Sequence, residues 1–195
     1  MKQVVIGLVG GPATGKGEIS RLLEQKGFFP FSLSDILRAR ADEKGLPHMR
    51  QVVTDIANEL RSKNGANILA VEAVNLLKNS EHTKIVIESI RHPEEVKTLQ
   101  KKLGAFVIGV TTPLKKRWEL LKERKREGDP VTWEEFLELV KSEESGIGKK
   151  TDIQVGWALE AADVIIDNNE GVKELHKKVG ELLSSRGIEI DQDSL

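Results

Sequence analysis

Cysteine is absent from the 195 residues, which excludes disulfides and cysteine-based metal sites. Histidine offers no metal site either, because His48, His82, His92 and His176 are scattered without ligand spacing. No stretch approaches the roughly 18 apolar residues of a membrane span. The chain runs from Met1-Lys2-Gln3 straight into a strand-like segment, with no apolar leader or cleavage site. A cytoplasmic protein without a membrane partner is therefore expected. A charge excess is missing too: Lys plus Arg number 30 against 31 for Asp plus Glu, which argues against a nucleic-acid partner held by bulk phosphate attraction. A small anionic ligand needs only a local basic cluster. There is no internal repeat and no low-complexity linker, and the length suits one α/β domain, 1–195, rather than two.

What is present is a hydrophobic run, Val4 to Val9, that feeds into Gly10-Gly11-Pro12-Ala13-Thr14-Gly15-Lys16-Gly17 at the start of a helix-period segment. Gly10, four residues, then Gly15-Lys16 is the spacing of a phosphate-binding P-loop. Successive backbone N–H groups must converge on phosphate oxygens, and side chains at the glycines would block that approach. The following helix adds the positive end of its dipole, and the Lys16 ammonium would reach the outer phosphates of a nucleoside triphosphate. Ile19, Leu22 and Leu23 give that helix its buried stripe. The commonest P-loop carries Ser or Thr after the lysine to bind magnesium, whereas Gly17 and Glu18 follow here.

Five apolar, β-rich runs, 3–9, 28–32, 84–88, 105–111 and 163–167, are separated by helix-period sequence. This alternation predicts a five-stranded parallel sheet flanked by helices. Further helices are expected around 34–45, 48–63, 66–79, 114–126, 132–144 and 152–161. Ligands of such sheets sit beyond the carboxyl ends of the strands. Those ends carry polar groups: the P-loop, Ser32-Leu33-Ser34-Asp35, Glu88-Ser89-Ile90-Arg91, Thr111-Thr112-Pro113 and Asp167-Asn168-Asn169.

Ser34 is placed to cap a helix with Asp35 in its first turn, and Arg38 one turn on would reach the same crevice. Glu88 stands where a P-loop enzyme holds the waters of its magnesium, with Arg91 close to the transferred phosphate. Arg117 and Arg124, seven apart, share a helix face, while Leu114, Trp118 and Leu121 form its buried stripe. Several arginines suit phosphoryl transfer, which spreads negative charge over a crowded transition state. Trp118, Trp133 and Trp157 are expected to pack helices rather than stack on a base.

With these motifs in this order the chain resembles the nucleoside monophosphate kinase superfamily from P-loop to last strand. Gly-Lys-Gly is similar to the adenylate kinase loop, in which the metal is held mostly through waters and a distant acid. The resemblance implies a P-loop NTPase fold with a helical acceptor-binding insert near 34–80 and a helical lid-like insert near 125–162, using ATP and Mg2+. It assigns Gly10, Gly11, Pro12, Ala13, Thr14, Gly15, Lys16, Gly17, Glu18 and Asn168 to the nucleotide, and Glu88 to the metal. Arg38 and Arg91 would hold the acceptor phosphate, with Arg50 or Arg61 in support, and Asp35 would orient the acceptor. Arg124, matched best, and Arg117 would stabilise the donor phosphates. Gly128-Asp129-Pro130 marks a break before the lid and Gly146-Ile147-Gly148 a hinge. The strand-three tip, Glu88-Ser89-Ile90-Arg91, departs from the family's Asp-Gly-x-Pro-Arg, and the lid lacks a cysteine cluster.

Dephospho-CoA kinases are similar at Gly7 to Gly11, Leu22 to Phe28, Asp35 with Arg38, and Ala162 to Asn168; there Asp35 would serve a hydroxyl acceptor as base. Gly45 to Arg50, Asn58 to Arg61, Arg126 to Pro130 and Trp133 to Phe136 look more like deoxynucleotide kinases and archaeal nucleotide-kinase-like proteins. The expected activity is transfer of the γ-phosphate of Mg-ATP to a small phosphorylated acceptor, a nucleoside or deoxynucleoside monophosphate. The alternatives are a dephospho-CoA kinase and a nucleotide-dependent ATPase or switch with a protein partner.

Overall fold

The computed structural model describes residues 3–124, 128–144 and 153–188. In chain order the elements are β1 (Val4–Val9), α1 (Lys16–Gln25), β2 (Phe29–Ser32), α2 (Leu33–Glu43), α3 (Arg50–Asn64), α4 (Ile68–Leu77) and β3 (Lys84–Ile90). They continue with α5 (Pro93–Leu103), β4 (Phe106–Thr111), α6 (Leu114–Arg124), α7 (Trp133–Glu144), α8 (Val155–Glu160), β5 (Val164–Asp167) and α9 (Val172–Ser184). The strands form one parallel sheet in the order β2-β3-β1-β4-β5. The expected strands and helices are all found, with ends moved by a few residues. The expected hinge at Gly146–Gly148, Arg126 and the tail from Asp191 lie outside the described residues.

The apolar sequence of β1 follows from its place between β3 and β4, where both faces are covered. Its residues alternate. Val5 and Val9 belong to the apolar cluster shared with α2, α3, α4, α5 and α8, whereas Ile6 and Leu8 belong to the one shared with α1 and α9. Pro30 is tolerated because β2 is an edge strand. No described helix is long and apolar enough to cross a membrane.

Two details at the carboxyl edge differ from expectation. The cap of α2 is Ser32, whose hydroxyl accepts from Ser34 N at 3.3 Å, because β2 passes into the helix without a loop. β3 continues past Glu88 to Ile90, and its register with β1 slips: Gly7 pairs with Ile87 but Val9 pairs with Ile90. Glu88 and Ser89 thus share the space opposite Leu8, and Ser89 takes the left-handed region at φ 62°. This is a β-bulge, a device that re-aims side chains near a site.

Candidate active site

The P-loop leaves β1 at Gly10 and enters α1 at Lys16. A Cβ at Gly10 would stand 2.5 Å from Val110 O, and Gly15, at φ 101°, leaves room for Asn168 Nδ2 in the same way. Thr14 O accepts from Thr112 Oγ1 at 2.9 Å and from Asn168 Nδ2 at 3.1 Å. These two bonds tie the loop to the segments that follow β4 and β5. Asn168 is buried and therefore acts through the loop. Thr112 does the same; its place after β4 was visible in the sequence, but its partner was not.

Lys16 Nζ donates to Gly10 O at 2.6 Å and to Gly11 O at 2.7 Å. Burial first, and the neighbouring Arg91 guanidinium next, push its pKa down from 10.5 to about 8, while Glu143 and Glu88 oppose the shift. Burial raises the Glu88 carboxyl above the ordinary range, against the pull of the nearby Lys16 ammonium and the Ser20 hydroxyl. Glu18 is paired with Arg21 at 2.6 Å.

Two cavities open beyond the strand ends. One, of about 430 Å³, is lined by Gly10 to Glu18 with Glu88, Arg91, Arg124 and Glu143. The other, of about 760 Å³, is lined by Ser34, Arg38, His48, Thr54, Gly128 and Asp129 among others. Arg50, Ser89 and Arg91 line both, so the cavities meet there. The β3 bulge and the N-terminus of α3 deliver these side chains. Ser89 Oγ is 2.8 Å from Ser32 Oγ, which ties the bulge to the start of α2.

The arginines fall into different settings. Arg38 lines the larger cavity and pairs with Asp35, which is exposed and lines neither cavity. Arg124 binds both oxygens of Asp129 at 2.6 Å, a pair that reaches from one cavity to the other. Arg117 is buried: Nε donates to Pro12 O at 2.8 Å, Nη2 to Glu144 at 2.7 Å, and the guanidinium lies over the Phe136 ring. It braces the P-loop from behind. Arg61 is fully buried in a pair with Glu95 at 2.8 Å and is thereby taken out of the set expected to hold an acceptor. Glu143 and Glu144, at the end of α7, were not foreseen. Glu143 faces Arg50 at 3.3 Å and Arg91 at 3.9 Å.

Trp118 and Trp133 pack with Phe136 at 5.5 to 6.0 Å between ring centres, joining α6 to α7 as expected of helix-packing residues, whereas Trp157 is half-exposed on α8.

The donor set fits a magnesium-bound triphosphate. The glycine-lined cradle and Lys16 suit the phosphates. Glu88, a half-buried carboxylate near Lys16, suits an ion that keeps most of its waters. Among the described residues no group of three His, Cys, Asp or Glu side chains could hold a metal by itself.

No protein-family model matches the chain. It is similar to the UPF0200 protein of Thermococcus kodakarensis, with 33% identity over 190 residues, 92% of this chain and 96% of that one. The UPF0200 protein of Methanoregula boonei is 32% identical over 186 residues, covering 93% and 96%. Among solved structures, shikimate kinase from Acinetobacter baumannii in complex with shikimate superposes with a TM-score of 0.55 at 16% identity, covering 96% of each chain. That likeness is one of fold, the five-stranded P-loop kinase fold. With a third of its residues shared with an archaeal relative along nearly its whole length, the chain belongs to the UPF0200 family.

Proposed function

We propose that this protein is an ATP-dependent phosphotransferase that moves the γ-phosphoryl group of Mg-ATP to a small phosphorylated acceptor, a nucleoside or deoxynucleoside monophosphate. The observation that carries this reading is the meeting of two cavities at Arg50, Ser89 and Arg91, one floored by the P-loop and the other large enough for a nucleotide. A simple ATPase has no need of the second cavity.

In the reaction an acceptor phosphate oxygen attacks the γ-phosphorus, the bond to the β–γ bridging oxygen breaks, and ADP leaves with that electron pair. The protein's part is positioning and charge. Lys16 would leave the Gly10 and Gly11 carbonyls for the donor's outer phosphates, and the loop N–H groups would hold the rest. Arg50 and Arg91 would hold the acceptor phosphate where the cavities meet, with Arg38 beside them. Arg124 would face the transferred charge, and Arg117 would keep the loop in shape. Glu88 would hold the water shell of Mg2+, which when bound neutralises charge on the donor phosphates.

A phosphate acceptor is already anionic and needs no strong base, whereas a hydroxyl acceptor benefits from one. Asp35 is exposed and occupied by Arg38, which supports the phosphate acceptor over dephospho-CoA or another alcohol. The test is an acceptor screen: each ribo- and deoxyribonucleoside monophosphate, dephospho-CoA and shikimate, with Mg-ATP, reading ADP and product mass together. A phosphorylated monophosphate is expected, with Asp35→Asn keeping most of the activity. Transfer only to an alcohol, abolished by that substitution, would overturn the reading.

A further inference from the structure

The carboxyl end of α7 carries two glutamates into the place where phosphates are expected. The Glu143 side chain is only 9% exposed, lines the P-loop cavity, and faces Arg50 at 3.3 Å and Arg91 at 3.9 Å. Glu144 pairs with Arg117 at 2.7 Å and lies so close over Gly11 that a Cβ there would run into its carboxylate.

Packing fixes this position. Phe136, one face of α7, is completely buried against Trp118 and Trp133. At the other end α8 comes so near that a Cβ on Gly156 would stand 2.5 Å from Glu144 O. The end of α7 is therefore held on the crevice, not lying on it by chance of a surface rotamer. A carboxylate and a phosphate present similar oxygen pairs to an arginine fork, so the same cations can accept either.

We propose that Glu143 is an internal occupant of the phosphate site, a carboxylate that keeps Arg50 and Arg91 assembled and is displaced when a phosphate arrives. Only in naming this place a phosphate site does the inference rest on the kinase reading. Its consequence is a threshold for binding. An incoming anion must outbid a built-in one, so its apparent affinity is reduced by the fraction of molecules in which Glu143 holds the site. Weak anions are thereby refused. Gln in place of Glu143 keeps the shape, removes the competitor and leaves the cations underpaired.

The experiment measures binding of inorganic phosphate, by calorimetry at neutral pH, to the wild type, Glu143→Gln, Glu143→Asp and Glu138→Gln. Glu138 is exposed on the same helix and controls for net charge. Charge-assisted hydrogen bonds of this kind are worth enough that E143Q is expected to bind phosphate about tenfold more tightly or better. E143D, with its carboxylate drawn back by one methylene, should gain several-fold, and E138Q should match the wild type. Equal or weaker binding by E143Q overturns the proposal. Should E143Q not fold, the absence of any gain in E143D overturns it equally. No acceptor is needed for this measurement, so tighter phosphate binding in a protein that phosphorylates nothing would uphold the occupant and leave the kinase reading to fail by itself.

Discussion

The Glu95 carboxylate is completely buried and its oxygens are filled. Oε1 accepts from Arg61 Nε at 3.2 Å and Nη2 at 2.8 Å, and Oε2 from the backbone N–H groups of Arg91 at 2.9 Å and His92 at 3.1 Å. The Glu143 carboxylate stands at longer range from Arg50 and Arg91, at 3.3 and 3.9 Å, beside a cavity. Arg91 belongs to both clusters: its backbone is pinned by Glu95 and its side chain reaches toward Glu143. The closed cluster is part of the fold, completing the capping box at the start of α5. The open one lines the cavity in which phosphate binding is proposed, and the Arg91 backbone that reaches it is fixed by the closed one.

Substitution should separate the two clusters sharply. Removing one partner of a buried ion pair leaves an uncompensated charge, so Arg61→Ala is expected to destabilise the protein by about 3–5 kcal/mol. Arg91→Ala, in a half-exposed position, should cost about 1 kcal/mol or less in stability while lowering phosphoryl transfer by about 10²–10³-fold. Denaturant melts and turnover, measured on both variants, check this. Equal losses of stability would mean that the open cluster is as structural as the closed one.

Lys16 sharpens the comparison further, because Arg91 is one cause of its lowered pKa. Between about 8 in the folded state and 10.5 in the unfolded chain, the folded protein binds fewer protons. This group's contribution to stability therefore rises with pH across that window and is lost as pH falls through about 8. Phosphate binding follows the opposite sign, since it needs the ammonium. ATP affinity is expected to fall as pH rises through about 8, by up to about tenfold per pH unit for one linked proton. Lys16→Met should bind weakly with a flat profile over this range, and Arg91→Ala should move the midpoint upward. A wild-type profile without a midpoint near 8 would remove Lys16 from the cluster's electrostatics.

How much of this could be read from the sequence depends on distance along the chain. β1, the P-loop and α1 are one continuous stretch whose glycine spacing and apolar run carry their own meaning, and the strand ends followed from the alternation of strands and helices. Arg50 and Arg61 show where reading stops. They lie eleven residues apart on α3, three turns and therefore one face, and nothing local says that one ends against Glu95 and the other in a cavity. Glu143 was equally hidden, one of several acids in a glutamate-rich helix, since its partners stand on α3 and after β3. The Pro93-Glu94-Glu95 sequence did hold a signal, a proline at the first helical position with an acid at the third. It identifies a cap but not the arginine behind it.

The smallest expected effect concerns the bulge that aims Glu88 and Arg91 at the crevice. Ser89 is held at φ 62° and its hydroxyl is 2.8 Å from Ser32 Oγ. Alanine would lose that hydrogen bond, worth about 1 kcal/mol, and keep the left-handed strain. Glycine would lose the same bond but relieve strain of about 1–2 kcal/mol. Ser89→Gly is therefore expected to be close to the wild type in stability and about 1 kcal/mol more stable than Ser89→Ala, as measured by thermal melts. Glycine's freedom would also loosen the aim of Arg91, so activity should fall a few-fold more in S89G than in S89A although S89G is the more stable. If both variants lose stability and activity alike, the hydrogen bond alone holds the bulge, and the left-handed turn has no part in keeping the open cluster apart from the closed one.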